Sequence, residues 1–307
     1  MTNPLDRRRF LKRTTTVAAA AAAGGWIAGT PRSAAAIEPI QRNGTPKFKF
    51  SLAGYSYRSL LQGADAPLNL FQFLDDCAKM GLEGAEPTSY YFPQPVTGEF
   101  LRSLRRHAFR LGLDISGTAV GNDFGHADPQ KRQQQIDAVK QWIRHAEVLG
   151  APVIRIFAGH PKPGIAPDEQ HRLYVDGMQQ CCDFAGQHGI HLALENHGGP
   201  TTTADDLLAL VRDVDSPWFG VNLDTGNFQS DDVYHDMERT APYALNVQVK
   251  VTLRGPDGKR QPADLKRIAT ILRSAAYRGY IVLEYEEAGD PRVECPQWID
   301  RLREAFA

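Results

Sequence analysis

The sequence has few cysteines, no excess of either charge and no domain-dividing linker, and each absence removes a class of protein. Its cysteines are Cys77, Cys181, Cys182 and Cys295, and they form no CxxC pair. A zinc ribbon or a redox motif is therefore not expected, and buried or idle thiols are the default. The formal net charge of −1 gives no basic surface, so nucleic acid is not an expected partner.

The bulk composition is that of a folded globular protein. The chain has 307 residues, of which 42% are hydrophobic, with ordinary numbers of glycines and prolines. This length suits one large α/β barrel or two small domains, and it is ample to bury a core. No internal repeat and no low-complexity stretch follows the N-terminal segment, so a single domain is predicted.

The N-terminus carries the three parts of an export signal. A basic motif, Arg7-Arg8-Arg9-Phe10-Leu11-Lys12, precedes an apolar, alanine-rich run from Val17 to Ala28, and Ser33-Ala34-Ala35-Ala36 follows. Small residues at that distance suit a signal peptidase. The apolar run is too short and too rich in alanine for a membrane span. The motif resembles a twin-arginine signal, although Asp6 stands where that class prefers Ser or Thr.

This resemblance implies an organisation and a location for the chain. Residues 1–36 are predicted to be a twin-arginine-type signal peptide, residues 37–46 a flexible lead-in, and residues 47–307 the folded domain. The Tat export machinery is then an expected partner, and the periplasm or another extracytoplasmic space is the expected location. Because twin-arginine signals as a class direct export of folded proteins, a metal could be inserted before transit. Whether the signal is cleaved or kept as an anchor stays open.

From Lys47 onward, short β-branched runs alternate with longer amphipathic runs. The spacing of Ile136, Val139 and Ile143 within Gln130–Leu149 is helical. Eight strands, each followed by a helix, predict a single (β/α)8 TIM barrel. The predicted strands are Phe48–Gly54, Leu82–Pro87, Leu113–Val120, Pro152–Ala158, Ile190–Glu195, Trp218–Asp224, Ala244–Lys250 and Gly279–Tyr285. Predicted helices include Leu68–Lys79, Gln130–Leu149, Asp168–Gln187, Ala204–Arg212, Asp231–Thr240, Pro262–Tyr277 and Pro296–Ala305.

Four successive strands end in or carry an oxygen donor. The fifth strand ends in Glu195, the sixth ends in Asp224, the seventh carries Gln248 and the eighth carries Glu284. Active sites of this barrel gather at the C-terminal ends of its strands, so these side chains are expected at one mouth. Three converging carboxylates would repel one another, and a hard divalent ion would relieve that repulsion. The donor types suit Mn²⁺ or Mg²⁺.

At this point the chain resembles the xylose isomerase-like TIM-barrel superfamily, which includes the sugar phosphate isomerases and epimerases. The resemblance covers roughly Phe48 to Phe306. It is carried by Ile154-Arg155-Ile156-Phe157-Ala158-Gly159, Leu194-Glu195-Asn196-His197, Leu223-Asp224-Thr225-Gly226-Asn227, and Tyr277-Arg278-Gly279-Tyr280 running into Leu283-Glu284-Tyr285-Glu286.

The resemblance implies roles for the strand-end residues. In that superfamily a Glu, an Asp, a His or Gln and a Glu bind the metal, and these roles fall on Glu195, Asp224, Gln248 and Glu284. The third ligand is most often His, so Gln248 departs from the common pattern and favours Mn²⁺ or Mg²⁺ over zinc. Glu195 and Glu284 are also the implied acid/base pair. Glu286 lies two residues beyond Glu284 on the same strand face, and it could take the place of Glu284.

Other polar residues follow the predicted strands and are candidates to contact a substrate. Lys250 could hold a substrate oxygen, or it could be a salt-bridge partner of one of the acids. The segment Thr88–Phe92 could form a stacking wall for a sugar ring. The full set of candidate substrate contacts is Glu86, His197, Lys250, Tyr55, His160, Asn122 and Glu286.

The predicted function is a metal-dependent sugar isomerase or epimerase that works by proton transfer through a metal-stabilised enediolate. The expected substrate is a free sugar, a keto-sugar or a glycoside. An inosose-type dehydratase and a non-catalytic sugar-binding barrel are the alternatives. An apurinic endonuclease of the same fold is disfavoured by Gln248, by the near-neutral charge and by the export signal. The sugar itself, the metal and any homo-oligomer stay open.

Overall fold

The computed structural model of the chain describes residues 38–63 and 65–307, and the predicted export signal lies outside these residues. Parallel strands form the barrel, and helices follow them along the chain. In the described part of the chain the strands are β1 (Lys47–Ala53), β2 (Gly84–Glu86), β3 (Asp114–Ile115), β4 (Thr118–Ala119), β5 (Val153–Ile156), β6 (His191–Glu195), β7 (Phe219–Asp224), β8 (Ala244–Val249), β9 (Thr252–Arg254), β10 (Arg260–Pro262) and β11 (Arg278–Leu283).

The helices alternate with these strands. They are α1 (Arg58–Leu61), α2 (Leu70–Lys79), α3 (Gly98–Arg110), α4 (Pro129–Leu149), α5 (Pro167–Gln187), α6 (Ala204–Asp213), α7 (Val233–Thr240), α8 (Leu265–Ser274) and α9 (Pro291–Phe306). Across residues 38–63 and 65–307, no helix combines the length and the apolar character needed to cross a membrane.

The main sheet closes almost completely on itself. Its strands lie in the order β3-β2-β1-β11-β8-β7-β6-β5-β4, and every neighbouring pair is parallel. The predicted third strand is divided into two short pieces, of which β3 pairs with β2 and β4 pairs with β5. A parallel bridge between Thr88, which follows β2, and Ala119 of β4 joins the two sides of the opening. The prediction of a single TIM barrel is therefore confirmed.

Helix α4 shows why the sequence forms these elements. Asp128 caps its first turn by accepting hydrogen bonds from the backbone N–H groups of Gln130 and Lys131, and Pro129 occupies the first helical turn. Gly150 ends the helix in the left-handed conformation, with φ of 84°. The buried apolar residues of α4 belong to the hydrophobic core that also includes residues of the strands. The core therefore lies between the sheet and the helices.

Two of the boundaries that differ from the sequence prediction have a clear local cause. The helix predicted over Pro262–Tyr277 is α8, Leu265–Ser274, because Pro262 belongs to β10 of the antiparallel hairpin β9–β10 and Asp264 caps the helix. Helix α9 begins at Pro291, five residues before the predicted start at Pro296, because Asp290 caps it by accepting a hydrogen bond from the N–H of Arg292.

Candidate functional site

Glu195 lies at the end of β6 and is paired with a cation from the neighbouring strand. Arg155 of β5 places its Nε 2.8 Å from Oε2 of Glu195, and both side chains are buried. Asn227 donates a hydrogen bond of 2.9 Å to the other oxygen of Glu195. Burial raises the pKa of Glu195 to about 7, and the charge of Glu284 adds to this, against the opposing charges of Arg155 and Lys250.

The carboxylates that follow β7 and β11 surround one lysine. Nζ of Lys250 lies 3.3 Å from Oδ2 of Asp224, 3.3 Å from Oε2 of Glu284 and 2.8 Å from Oε2 of Glu286. The side chain of Lys250 is only 10% exposed. The backbone N–H of Gly226 donates a hydrogen bond to Oδ1 of Asp224, while Oδ2 is buried, has no hydrogen-bond partner among the described residues and lies 3.3 Å from the lysine ammonium. Lys250 therefore forms ion pairs with the strand-end acids, and its role toward a substrate stays a prediction.

These contacts separate the pKa values of neighbouring carboxyl groups. Burial raises the pKa of Asp224 well above its usual range, with Lys250 opposing the shift. Burial also acts to raise the pKa of Glu284, but Lys250, a hydrogen bond with Asp224 and the charge of Arg155 outweigh it, so the pKa is lowered. Burial acts to lower the pKa of Lys250, yet the surrounding carboxylates outweigh it and the pKa is raised. Lys250 is thus held as a cation.

Gln248 lies in the interior of the barrel, where its amide nitrogen and its amide oxygen each make a hydrogen bond. Its Nε2 donates a hydrogen bond of 2.6 Å to Glu86, and its Oε1 accepts one of 2.6 Å from Asn222. Asn246 donates to Glu86 at 2.7 Å and to Asn222 at 2.9 Å, so the four side chains form one closed network. Glu86 is 1% exposed and belongs to this network. Glu86 therefore has internal hydrogen-bond partners, and its predicted contact with a substrate stays a prediction.

A cavity of about 230 Å³ opens at the C-terminal ends of the strands. Side chains from both sides of the mouth converge on it, including both predicted acid/base residues. A volume below the roughly 300 Å³ at which drug-sized pockets begin suits one small polar molecule. The lining residues are Tyr55, Tyr90, Arg155, Phe157, Glu195, His197, Lys250, Glu284 and Glu286.

The remaining predicted contacts lie in an adjoining pocket of about 50 Å³, which is lined by Asn122, His160 and His197 among others. The side chain of Asn122 bonds both backbone groups of Phe157, so it positions that ring. His197 lines both cavities, and its ring centroid lies 4.5 Å from that of Phe157. Burial and the charges of Arg155 and Lys250 lower the pKa of His197 to about 4, so its imidazole is neutral near pH 7.

Three site residues were not assigned a role from the sequence. Phe157 and Arg155 line the cavity, and Asn227 bonds Glu195. A usable signal existed for Arg155, because a charged residue within the apolar strand Val153–Ile156 is buried only when it has a partner. Asn227 stood within one of the motifs that carried the family resemblance, but nothing in its local sequence identified its partner.

In this structure the four predicted metal ligands contact other side chains and are not grouped around a common point. Of the four predicted ligands, Glu195 has both oxygens engaged by Arg155 and Asn227, and the carbonyl of Gln248 is engaged by Asn222. Asp224 and Glu284 face the ammonium of Lys250. Within residues 38–63 and 65–307, no three His, Cys, Asp or Glu side chains are grouped to hold an ion.

Comparison with known proteins agrees with this fold. L-ribulose-5-phosphate 3-epimerase UlaE of Escherichia coli (strain K12) is 25% identical over 194 residues, which cover 60% of this chain and 68% of UlaE. The solved structure of D-psicose 3-epimerase from Clostridium cellulolyticum H10 matches with a TM-score of 0.69 at 16% identity, over 84% of this chain and 99% of that one. A structure of L-ribulose 3-epimerase matches with a TM-score of 0.69 at 19% identity, over 84% and 94% of the two chains.

A strand-end cavity with buried carboxylates in a parallel barrel defines an enzyme-type TIM barrel. The model of the xylose isomerase-like TIM barrel family matches residues 74–305, and the chain belongs to that family. The comparisons together support an enzyme of the isomerase and epimerase class.

Proposed function

We propose that the chain is a sugar epimerase or isomerase that moves a proton at a carbon beside a carbonyl group. The observation that carries the proposal is that Glu195 and Glu284, from different strands, line the same small cavity. They lie close enough for the charge of Glu284 to raise the pKa of Glu195. With a substrate in this cavity, one glutamate can remove a proton and the other can return one, as such a reaction requires.

The opposite pKa shifts of the two glutamates suggest their starting roles. The pKa of Glu284 is lowered, because Lys250 and its other partners outweigh burial, so Glu284 is ionised and able to accept a proton. Burial raises the pKa of Glu195 to about 7, so a substantial fraction of Glu195 is protonated and able to donate one. Neighbouring groups whose environments separate their pKa values are a recurring basis for acid and base assignments.

Other residues of the cavity would bind and orient the substrate. Tyr90 and Phe157 offer aromatic surface to the apolar face of a sugar ring, while His197 and Lys250 offer polar contacts to its oxygens. No step of this proposal passes through a metal ion, because the predicted ligands are already engaged by other side chains.

A free keto-sugar is the proposed substrate class. The relatives compared above are named for L-ribulose 5-phosphate, D-psicose and L-ribulose. The cavity of about 230 Å³ suits one sugar ring. A free sugar also agrees with the export signal, since an exported enzyme would rarely meet phosphosugars.

The test is product analysis by NMR after incubation of the protein with a panel of ketoses in D₂O. An epimerase or isomerase yields a rearranged sugar with deuterium at the carbon that lost its proton. Loss of water would identify the dehydratase alternative, and bound but unchanged sugars would identify a binding protein. Sugars unchanged and free of deuterium across the panel would overturn the proposal.

We also propose that the chain is exported by the twin-arginine route, with residues 1–36 as the signal. The support is the motif Arg7-Arg8-Arg9-Phe10-Leu11-Lys12 followed by the alanine-rich run. The folded domain would then work in the periplasm or another extracytoplasmic space.

A further inference from the structure

We propose that the ammonium group of Lys250 is the cation around which the strand-end carboxylates assemble, in the place that a divalent ion would need. The protein then binds no divalent ion at these residues while Lys250 is present. The inference concerns the binding of cations at this mouth of the barrel. It holds whether or not the chain catalyses the reaction proposed above.

The contacts of Lys250 match the chemistry of an ammonium ion. A lysine ammonium has three donors, and three carboxylates surround Nζ at 2.8 to 3.3 Å. Asp224 comes from the end of β7, and Glu284 and Glu286 follow β11. The ammonium of Lys250 therefore links the ends of β7 and β11, which are separated by β8 in the sheet.

The aliphatic part of the Lys250 side chain packs closely against Gly226. A Cβ atom on Gly226 would lie 2.7 Å from Cδ of Lys250 and 2.9 Å from its Cβ, so the absence of a side chain at Gly226 lets the lysine stem pass. The backbone N–H of Lys250 donates a hydrogen bond of 3.0 Å to Oγ1 of Thr225. These contacts hold the base of the side chain beside the carboxylates with which Nζ forms ion pairs.

A divalent ion and this ammonium would compete for the same carboxylate oxygens. An ion such as Mg²⁺ takes oxygen ligands at about 2.0–2.1 Å in a near-octahedral arrangement. An ion bound to Oδ2 of Asp224 and Oε2 of Glu284 would have to share these two oxygens with Nζ of Lys250, which is 3.3 Å from each. Two cations in contact repel each other strongly where water is excluded.

The remaining predicted ligands are also engaged. Arg155 and Asn227 hold the two oxygens of Glu195, and Asn222 holds the carbonyl of Gln248. An incoming ion would have to displace Lys250, Arg155 and an internal hydrogen bond together. The sequence predicted a metal ion as the positive charge that balances these carboxylates. In the structure, the side chains of Arg155 and Lys250 supply that charge.

One consequence rests on the proposed function. Lys250 lines the cavity together with Glu195 and Glu284, so its ammonium faces the space that a substrate carbonyl would occupy. A fixed cation beside a developing enediolate oxygen stabilises it without the reorganisation of solvent. In that reaction Lys250 would act as a catalytic residue by hydrogen bonding to the oxygen.

The experiment measures Mn²⁺ binding by calorimetry on the chelator-dialysed full chain, for the wild type, for Lys250→Met and for a control. The methionine keeps an apolar stem and removes the charge. Lys259→Met is the matched control, since the side chain of Lys259 is 84% exposed and forms its ion pair with Asp257, which is not a predicted metal ligand. We expect one Mn²⁺ per chain for Lys250→Met, bound at least roughly tenfold more tightly than by the wild type or the control.

Thermal unfolding gives a second measurement that does not depend on turnover. Removal of Lys250 leaves the carboxylates uncompensated, so the variant is expected to melt lower and to regain stability when Mn²⁺ is added. Stoichiometric submillimolar Mn²⁺ binding by the wild type would overturn the proposal, even if Lys250→Met does not fold. Equal weak binding by the wild type and a folded Lys250→Met would also overturn it. Failure of the proposed function would instead appear as unchanged sugars in the NMR test.

Discussion

Arg155 and Glu195 form a buried ion pair between adjacent strands, with Nε 2.8 Å from Oε2 and side-chain exposures of 6% and 4%. Nη1 of Arg155 also donates a hydrogen bond of 3.0 Å to the backbone carbonyl of Val120. The arginine therefore joins the divided third barrel strand to the proposed acid. A buried pair of this kind responds strongly when only one partner is removed, because the other is left as an uncompensated charge.

Replacement of that arginine, Arg155→Met, should lower stability and move the pH profile. We expect a loss of about 3–5 kcal/mol in the free energy of unfolding. Because Arg155 lowers the pKa values of Glu195 and Glu284, both limbs of the profile of kcat/KM should move to higher pH. Urea unfolding and initial rates across pH measure the two effects, with the exposed Arg172→Met as the control. Unmoved limbs would show that the arginine does not set the charge state of the acids.

Glu195→Gln should abolish turnover and leave the fold intact. The amide keeps the size and hydrogen-bonding atoms of the carboxyl group but cannot donate or accept the transferred proton, so we expect kcat to fall by about 10²–10⁴-fold. NMR assays of product and of deuterium uptake check this result, with circular dichroism as the check on folding. Glu304→Gln, at an exposed position on α9, is the matched control. Retained activity would mean that the proton-transfer assignment of Glu195 is wrong.

Glu284 and Glu286 can be separated by matched variants. Glu284 is 7% exposed and Glu286 is 29% exposed in their side chains, and both contact Lys250. We expect Glu284→Gln to lose about 10²–10⁴-fold in kcat, as for loss of a general base. Glu286→Gln should lose less than about tenfold, since it removes a partially exposed partner of Lys250. The reverse order of the two losses would assign the base to Glu286.

The buried carboxyl of Glu86 should make stability depend on pH. Burial and the charge of Glu284 raise the pKa of Glu86 from 4.5 to about 7, against hydrogen bonds from Asn246 and Gln248. A carboxyl with a raised pKa binds more protons in the folded state, so its stabilising contribution falls as the pH rises from about 4.5 through about 7. Glu86→Gln removes this dependence.

The measurement is urea unfolding of Glu86→Gln and the wild type at pH 5 and at pH 8. The stability of the variant relative to the wild type should be greater at pH 8 than at pH 5 by about 3 kcal/mol. This comparison is independent of any constant loss from altered hydrogen bonds in the network. Glu99→Gln, at an exposed position in the first turn of α3, should show no such change. If the free energies of unfolding of Glu86→Gln and the wild type differ by the same amount at both pH values, Glu86 does not have a raised pKa in the folded state.

Export can be tested on the full chain by fractionation. Arg7→Lys combined with Arg8→Lys keeps the charge of the N-terminus but removes the two arginines of the motif. We expect the variant to stay in the cytoplasm while the wild type reaches the extracytoplasmic fraction. Lys12→Arg keeps both arginines and is the control. Export of the double variant at the wild-type level would reject the twin-arginine route.

The sequence was sufficient to predict the barrel and the strand ends that meet at its mouth. Glu195 and Glu284 were expected there because each follows an apolar run of strand length, and the structure brings both to one cavity. The hairpin of β9 and β10 was missed, although Gly255-Pro256-Asp257-Gly258 between its strands is a turn signal. An eight-strand count gave no reason to expect a further pair.

Side-chain partners were the part that the sequence could not give. Asn246 bonds Glu86 across 160 positions of the chain, and Gln248 bonds the same carboxyl across 162. A strand's period fixes which face a side chain takes, but rotamers and partners decide which atom it meets. Gln248 was therefore placed on the correct strand, while its hydrogen bonds to Glu86 and Asn222 could only come from the structure.

The polar interior of the barrel has a collective consequence. Four buried carboxyl groups, Glu86, Glu195, Asp224 and Glu284, face two buried cations, Arg155 and Lys250. The pKa values of Glu86 and Glu195 are raised to about 7 and that of Asp224 is raised as well, so protons offset part of the excess negative charge. Protonation of one of these carboxyl groups therefore shifts the pKa values of its charged neighbours. A ligand that alters one of these charges is expected to change the number of bound protons, so the measured heat of binding should vary with the ionisation enthalpy of the buffer.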